Sequence, residues 1–136
     1  MLRAVEHIQS SLSKRAAAGW DTASLAALIV SLWRDIDAAL APIIGQRGVG
    51  ALFRRTLHLI RHEYPWLSAA HESMADPIDF TALHSTLSQG NSANVVAANG
   101  ALLQKFLEQL VSLIGGSLTE RLLRAVVETH STGDPP

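Results

Sequence analysis

Apolar residues recur at steps of three and four along nearly the whole chain, and strict alternation is nowhere sustained. That is the period of helices, whose i, i+3 and i+4 positions share a face. Leu2, Val5, Ile8 and Leu12 make one stripe, with Arg3, His7, Ser10 and Lys14 opposite. The spacing predicts a first helix to about Ala18 that stops near Gly19. Asp21 has a side chain suited to cap a second helix. Leu25, Leu28, Ile29, Leu32, Trp33, Ile36 and Leu40 form that helix's apolar face, and Pro42 and Gly45 mark its end.

Residues 45–50 hold three glycines and read as a turn. A third helix is predicted from there to about Glu63, with Val49, Leu52, Phe53, Leu57 and Ile60 inward, until Pro65 interrupts it. Residues 66–73 suggest a short helix. Pro77 and Asp79 open another, with Phe80, Leu83 and Leu87 apolar. After a polar loop, Ser92 is the expected cap of a long helix to Ile114. Its apolar residues cover most of the circumference and leave a narrow polar stripe at Lys105, Glu108 and Ser112. Such a helix belongs at the centre of a fold or between subunits.

Gly115 and Gly116 break that helix, and Ser117 and Glu120 then have the spacing of a capping box. Leu118, Leu122, Leu123, Val126 and Val127 carry a last helix to about Thr129. The expected architecture is all-α: a single-domain irregular bundle of five or six helices over residues 1–130, with residues 131–136 a disordered tail.

Composition supports one domain. At 136 residues a chain of this size buries about 68% of its unfolded surface, enough for one core. Hydrophobic residues at 48% and charged residues at 17% exclude a disordered chain. The absence of cysteine excludes disulfide scaffolds, thiol catalysis and thiolate metal sites. The most apolar windows, residues 23–41 and 95–114, are interrupted by Arg34, Asp35 and Asp37 and by Lys105 and Glu108, so no membrane span is predicted. Arg3, Glu6, Lys14 and Arg15 interrupt the first twenty residues, which therefore do not read as a signal peptide. A cytoplasmic location is expected. Nine arginines against two lysines point to a GC-rich bacterial genome.

Charge changes the picture more than composition does. A net charge of -1 conceals blocks. Residues 47–62 hold Arg47, Arg54, Arg55 and Arg61 and no acid. Residues 63–79 hold Glu63, Glu72, Asp76 and Asp79 and neither lysine nor arginine. Residues 80–104 hold no Asp, Glu, Lys or Arg at all. On the predicted third helix Arg54, His58 and Arg61 share a face, and Arg55 and His62 form an adjoining row. With Arg47 these residues are a candidate surface for an anion or an acidic partner, because the guanidinium fork matches carboxylates and phosphates. The competing reading is a solvated helix face neutralised by the acids that follow it. The neutral block is either buried helix or a surface covered by a second subunit; Asn91, Asn94 and Asn99 would satisfy hydrogen bonds there without burying ions.

Other chemistry is weaker. Gly45, Gly48 and Gly50 lack the preceding strand and the Lys-Ser/Thr of a phosphate-binding loop. Residues 40–60 have a turn followed by a basic helix, as a helix-turn-helix would, but Pro42 sits badly in it and nucleic acid is not an expected partner. His58 and His62 could begin a metal site, with His71, Glu72 and His84 as further ligands, yet no recognisable set of three exists and no metal or cofactor is expected. His62-Glu63 resembles the His-Glu pair of histidine-kinase phosphoacceptor helices, although Tyr64-Pro65 follows in place of Leu-Arg-Thr-Pro. No serine sits in a nucleophile-elbow setting and no carboxylates are paired, so catalysis is not expected. Trp20, Trp33 and Trp66 read as packing residues.

The expected function is therefore a non-enzymatic regulatory or adaptor domain in bacterial signalling that holds an acidic protein on the arginine face. The alternative is a helical domain sensing a small ligand, whether anion, nucleotide or apolar molecule, and a further one is a histidine phosphotransfer module. Self-association as a homodimer is expected through the last two helices, with Leu103, Phe106, Leu110, Leu118, Leu122 and Val126 as contacts.

Overall fold

The computed structural model describes residues 2–67 and 78–131, with side chains over residues 6–67 and 78–130. It is a bundle of five helices with no strand among the described residues: α1 (Leu2–Ala17), α2 (Thr22–Leu59), a short 3-10 turn (Pro65–Leu67), α3 (Phe80–Ser88), α4 (Ser92–Ile114) and α5 (Gly116–Ser131). Most of the predicted helix at residues 66–73, and the tail from residue 132, lie outside the described residues.

The three-glycine turn is smaller than its sequence suggests. Only Gly45, at φ 78° and ψ 157°, leaves helical geometry, and Gly48 and Gly50 belong to the helix that continues from it. This single residue still redirects the chain sharply. Trp33 and Phe53 are twenty positions apart, and in a straight helix that separation is about 30 Å. Their rings nevertheless stack with centroids 4.8 Å apart and planes 11° from parallel. The two halves of α2 thus fold back on each other, and Phe106 of α4 closes the cluster edge-on at 5.1 Å from Trp33. The three rings are fully buried, and offset or edge-on pairs of this kind add about 0.5–1.5 kcal/mol each beyond their burial.

Helix ends follow local chemistry, with small corrections. The Asp21 carboxylate accepts from Ser24 N–H at 2.7 Å and the Asp79 carboxylate from Ala82 N–H at 3.0 Å. The cap of α4 is Asn91 rather than Ser92: its amide oxygen accepts from Asn94 N–H at 2.8 Å. The extended backbone of Asn91 places it just outside the helix, where a cap must stand. Gly115, at φ 88°, joins α4 to α5 directly, so Ser117 lies inside the first turn instead of capping it. The Thr119 hydroxyl donates to the Gly115 carbonyl at 2.7 Å. The predicted third helix ends at Leu59, short of Glu63.

Helix α4 is the centre of the bundle and packs on α1, α2 and α5. Val95, Ala98, Leu102, Leu103, Phe106 and Leu110 are buried along it. The first half of the neutral block is α3, whose Leu83 and Leu87 face α2 and the core. Its second half supplies the buried start of α4. The one polar side chain of α4 buried completely, Asn99, accepts from the Trp33 indole N–H at 3.0 Å and donates to Gln9 Oε1 at 3.0 Å. Gln9 in turn donates to the Val96 carbonyl at 2.8 Å. A neutral amide can be buried in this way because each of its dipoles finds a partner.

Candidate functional site

The second half of α2 carries the arginines, and the fold gives them different duties. Arg47 and Arg55 are exposed, and Arg54 is half-buried. Arg61 stands past the end of the helix, where its guanidinium donates to the His58 carbonyl at 2.6 Å. It therefore covers one of the carbonyls that a helix C-terminus leaves without an intrahelical donor. Arg54 and His58 also engage other groups. The face predicted from Arg54, His58 and Arg61 is thus divided, since Arg61 and His62 leave the helix before the row is complete. Arg47 and Arg55 form no ion pair among the described residues.

Arg55 stands beside a groove between α2 and α4, lined by Leu52, Arg55, Gln109, Ser112 and Leu113 and about 300 Å³ in volume. Thr56 and Gln109 fix the helices on either side of it: Gln109 Nε2 donates to Thr56 Oγ1 at 2.7 Å, and that hydroxyl donates to the Leu52 carbonyl at 2.8 Å. Leu113 on its rim is 62% exposed, and Leu59, one turn beyond Arg55 on the row Leu52, Arg55, Leu59, is 44% exposed. Isolated exposed leucines are ordinary. Leucines placed beside an arginine and a groove form an amphipathic surface. The sequence offered one hint of this: Leu59 is out of register with the inward stripe of Val49, Phe53, Leu57 and Ile60. Leu113 gave no such signal, because α4 is apolar nearly all round.

The acids of α2 are placed away from this surface. Asp35 accepts a 2.7 Å bond from His130 Nε2, which ties the end of α5 to the first half of α2. Burial pushes the Asp37 carboxyl above its ordinary range. From Ala38 to Leu59 helix α2 carries no carboxylate, so the formal side-chain charges on that stretch, Arg47, Arg54 and Arg55, are all positive.

The remaining predicted residues separate. Among the six dimer-contact candidates, Leu103, Phe106, Leu110 and Val126 are buried in the chain's own core, and Leu118 and Leu122 are half-buried. The outer face of the last two helices therefore consists of other side chains. His71 and Glu72 lie outside the described residues; His84 lies on α3, and among the described residues no group of three or more His, Asp or Glu is placed to hold a metal ion. Trp33 is fully buried, and Trp20 and Trp66 are half-buried. No helix among the described residues is long and apolar enough to cross a membrane. Compared with known proteins, the chain matches no family model, no curated protein and no solved structure.

Proposed function

We propose that this chain is a non-enzymatic interaction module, and that it holds an acidic amphipathic segment of a partner protein across the α2–α4 groove. The observation that carries this reading is that Arg55 shares the groove lining with exposed Leu113 and lies one turn from exposed Leu59, on a helix half without a carboxylate. An acidic helix with an apolar stripe complements such a surface in both respects: its leucines cover Leu59 and Leu113, and its carboxylates meet Arg47 and Arg55. Amphipathic helices dock in apolar grooves by this arrangement, and arginine at the margin adds two-point contacts and attraction at a distance. A regulatory or adaptor role in bacterial signalling is the setting in which such capture would serve.

The test uses two labelled model helical peptides with one shared leucine stripe, one with glutamate and one with lysine on the polar positions. Fluorescence anisotropy should show binding of the acidic peptide only. Arg47→Glu with Arg55→Glu, and separately Leu113→Glu, should each weaken it by at least about tenfold, or 1.4 kcal/mol, with circular dichroism unchanged. Equal binding of both peptides, or of neither, overturns the proposal. Light scattering on the same samples reads the other occupant: a dimer that Leu113→Glu dissociates would show that the groove holds a second copy of this chain.

A further inference from the structure

A second concavity lies against the first half of α2, and its chemistry differs. It runs between α2 and α3, about 540 Å³ in volume, and is lined by Val30, Arg34, Phe80, Thr81, His84, Ser85, Ser88 and Gln89. Volumes of a few hundred Å³ suit small molecules. The lining is one-sided in its electrostatics. It holds a guanidinium, an imidazole, hydroxyls and an amide, and no carboxylate.

The guanidinium is held in place without being neutralised. Arg34 Cζ lies 5.0 Å from the centre of the Phe80 ring, a cation–π contact that fixes the head group while leaving its N–H edges for other acceptors. Arg34 forms no ion pair among the described residues. The other donors come from α3 at helical spacing. Thr81, His84 and Ser88 succeed one another at three and four residues, with Ser85 beside His84, so they line one face of the helix. Ser88 already donates its hydroxyl proton to the His84 carbonyl at 2.8 Å, which leaves Arg34, His84, Thr81, Ser85 and Gln89 as the donors. Val30 and the Phe80 ring give the groove an apolar side. Of the two acids adjacent in sequence to lining residues, Asp79 uses its carboxylate to cap α3 through Ala82 N–H, and Asp35 accepts from His130 Nε2.

From this arrangement we infer that the α2–α3 groove is a binding site for a small molecule carrying a phosphate or carboxylate group, with Arg34 and His84 as its anion-holding residues and Phe80 as the surface on which the rest of the ligand lies. The site is separate from the α2–α4 groove and does not depend on the partner-binding reading.

The experiment is a nuclear magnetic resonance titration of the whole chain with inorganic phosphate, pyrophosphate and citrate, each against sodium chloride of equal ionic strength. The chloride series removes general screening, which acts on every exposed charge alike. Saturable shifts should be centred on Phe80, Thr81, His84 and Ser85 for at least one of the three anions. Arg34→Gln and His84→Gln should each weaken that binding by about tenfold or more, and Arg55→Gln should leave it unchanged. Phosphate and pyrophosphate without citrate would identify a phosphoryl ligand, and the reverse a carboxylate. The inference is overturned if millimolar anion gives only the shifts that chloride gives, or if Arg55→Gln removes the binding that Arg34→Gln leaves. Thermal unfolding of each variant separates lost binding from lost folding.

Discussion

The indole N–H of Trp33 donates to the amide oxygen of Asn99 at 3.0 Å, across 66 positions of sequence and inside the apolar core. Both residues are fully buried. The bond fixes the register of α2 against α4, and the other end of the same amide reaches α1 through Gln9. Asn99→Leu is therefore expected to destabilise the chain by roughly 2–4 kcal/mol: it leaves the Trp33 N–H buried without an acceptor and forces a branched side chain into a closely packed site. Urea unfolding at constant slope measures it. A loss below about 0.5 kcal/mol would mean that the bond has little part in holding the helices together.

A second long-range contact ties the chain's last helix. His130 Nε2 meets Asp35 Oδ2 at 2.7 Å, with the imidazole almost wholly covered and the carboxylate about half exposed. The coupling should be modest, on the order of 1 kcal/mol, because water reaches the acid side. A double-mutant cycle on Asp35→Asn and His130→Gln should recover a coupling of that size. Additive single losses would show that the two groups do not act together. Hydrogen exchange should rise in α5 first.

Gly45 and Gly116 offer a paired test of backbone against space, since a methyl group added at either position would meet nothing within 4 Å. Gly45 has φ 78° and ψ 157°, a region essentially confined to glycine, so Gly45→Ala should cost about 1–3 kcal/mol. Gly116 opens α5 without a positive φ, and Gly116→Ala should be neutral or stabilising by up to about 1 kcal/mol through the unfolded chain. Thermal melts should fall for Gly45→Ala and stay level or rise for Gly116→Ala.

Asp37 is a half-buried acid whose covered Oδ1 has no hydrogen-bond partner. Burial raises its pKa, so the charged form is disfavoured in the folded chain. The cost to stability is therefore fully present at neutral pH, shrinks as pH falls through the raised pKa, and is gone below the ordinary carboxylate value of about 4. Asp37→Asn should raise the midpoint of unfolding at pH 7, and the gain should close as the pH is lowered towards about 3. A gain independent of pH would assign the effect to packing rather than charge.

The parts of this protein legible in its sequence are those set by neighbours along the chain. The three-four apolar spacing gave the helices, and Asp21 and Asp79 could be read as caps because a cap reaches only to an N–H three residues away. The same locality explains where the structure departs from the spacing. Asn91 and Ser92 are adjacent residues of equal capping ability, and spacing alone could not choose between them. Arg54, His58 and Arg61 form one row only in a helix that continues through Arg61, and the helix ends at Leu59.

What lay beyond the sequence is whatever depends on which faces meet. Periodicity by itself determined an all-helical chain with a central apolar α4. It could not show that Gly45 returns Phe53 to Trp33, that Leu103, Phe106 and Leu110 are covered by the chain itself while Leu113 is not, or that Arg34 comes to rest over Phe80. Helix formation is decided by bonds between residues four apart. The exposure of a leucine or the freedom of an arginine is decided by residues many turns distant, and only the packed tertiary structure brings those together.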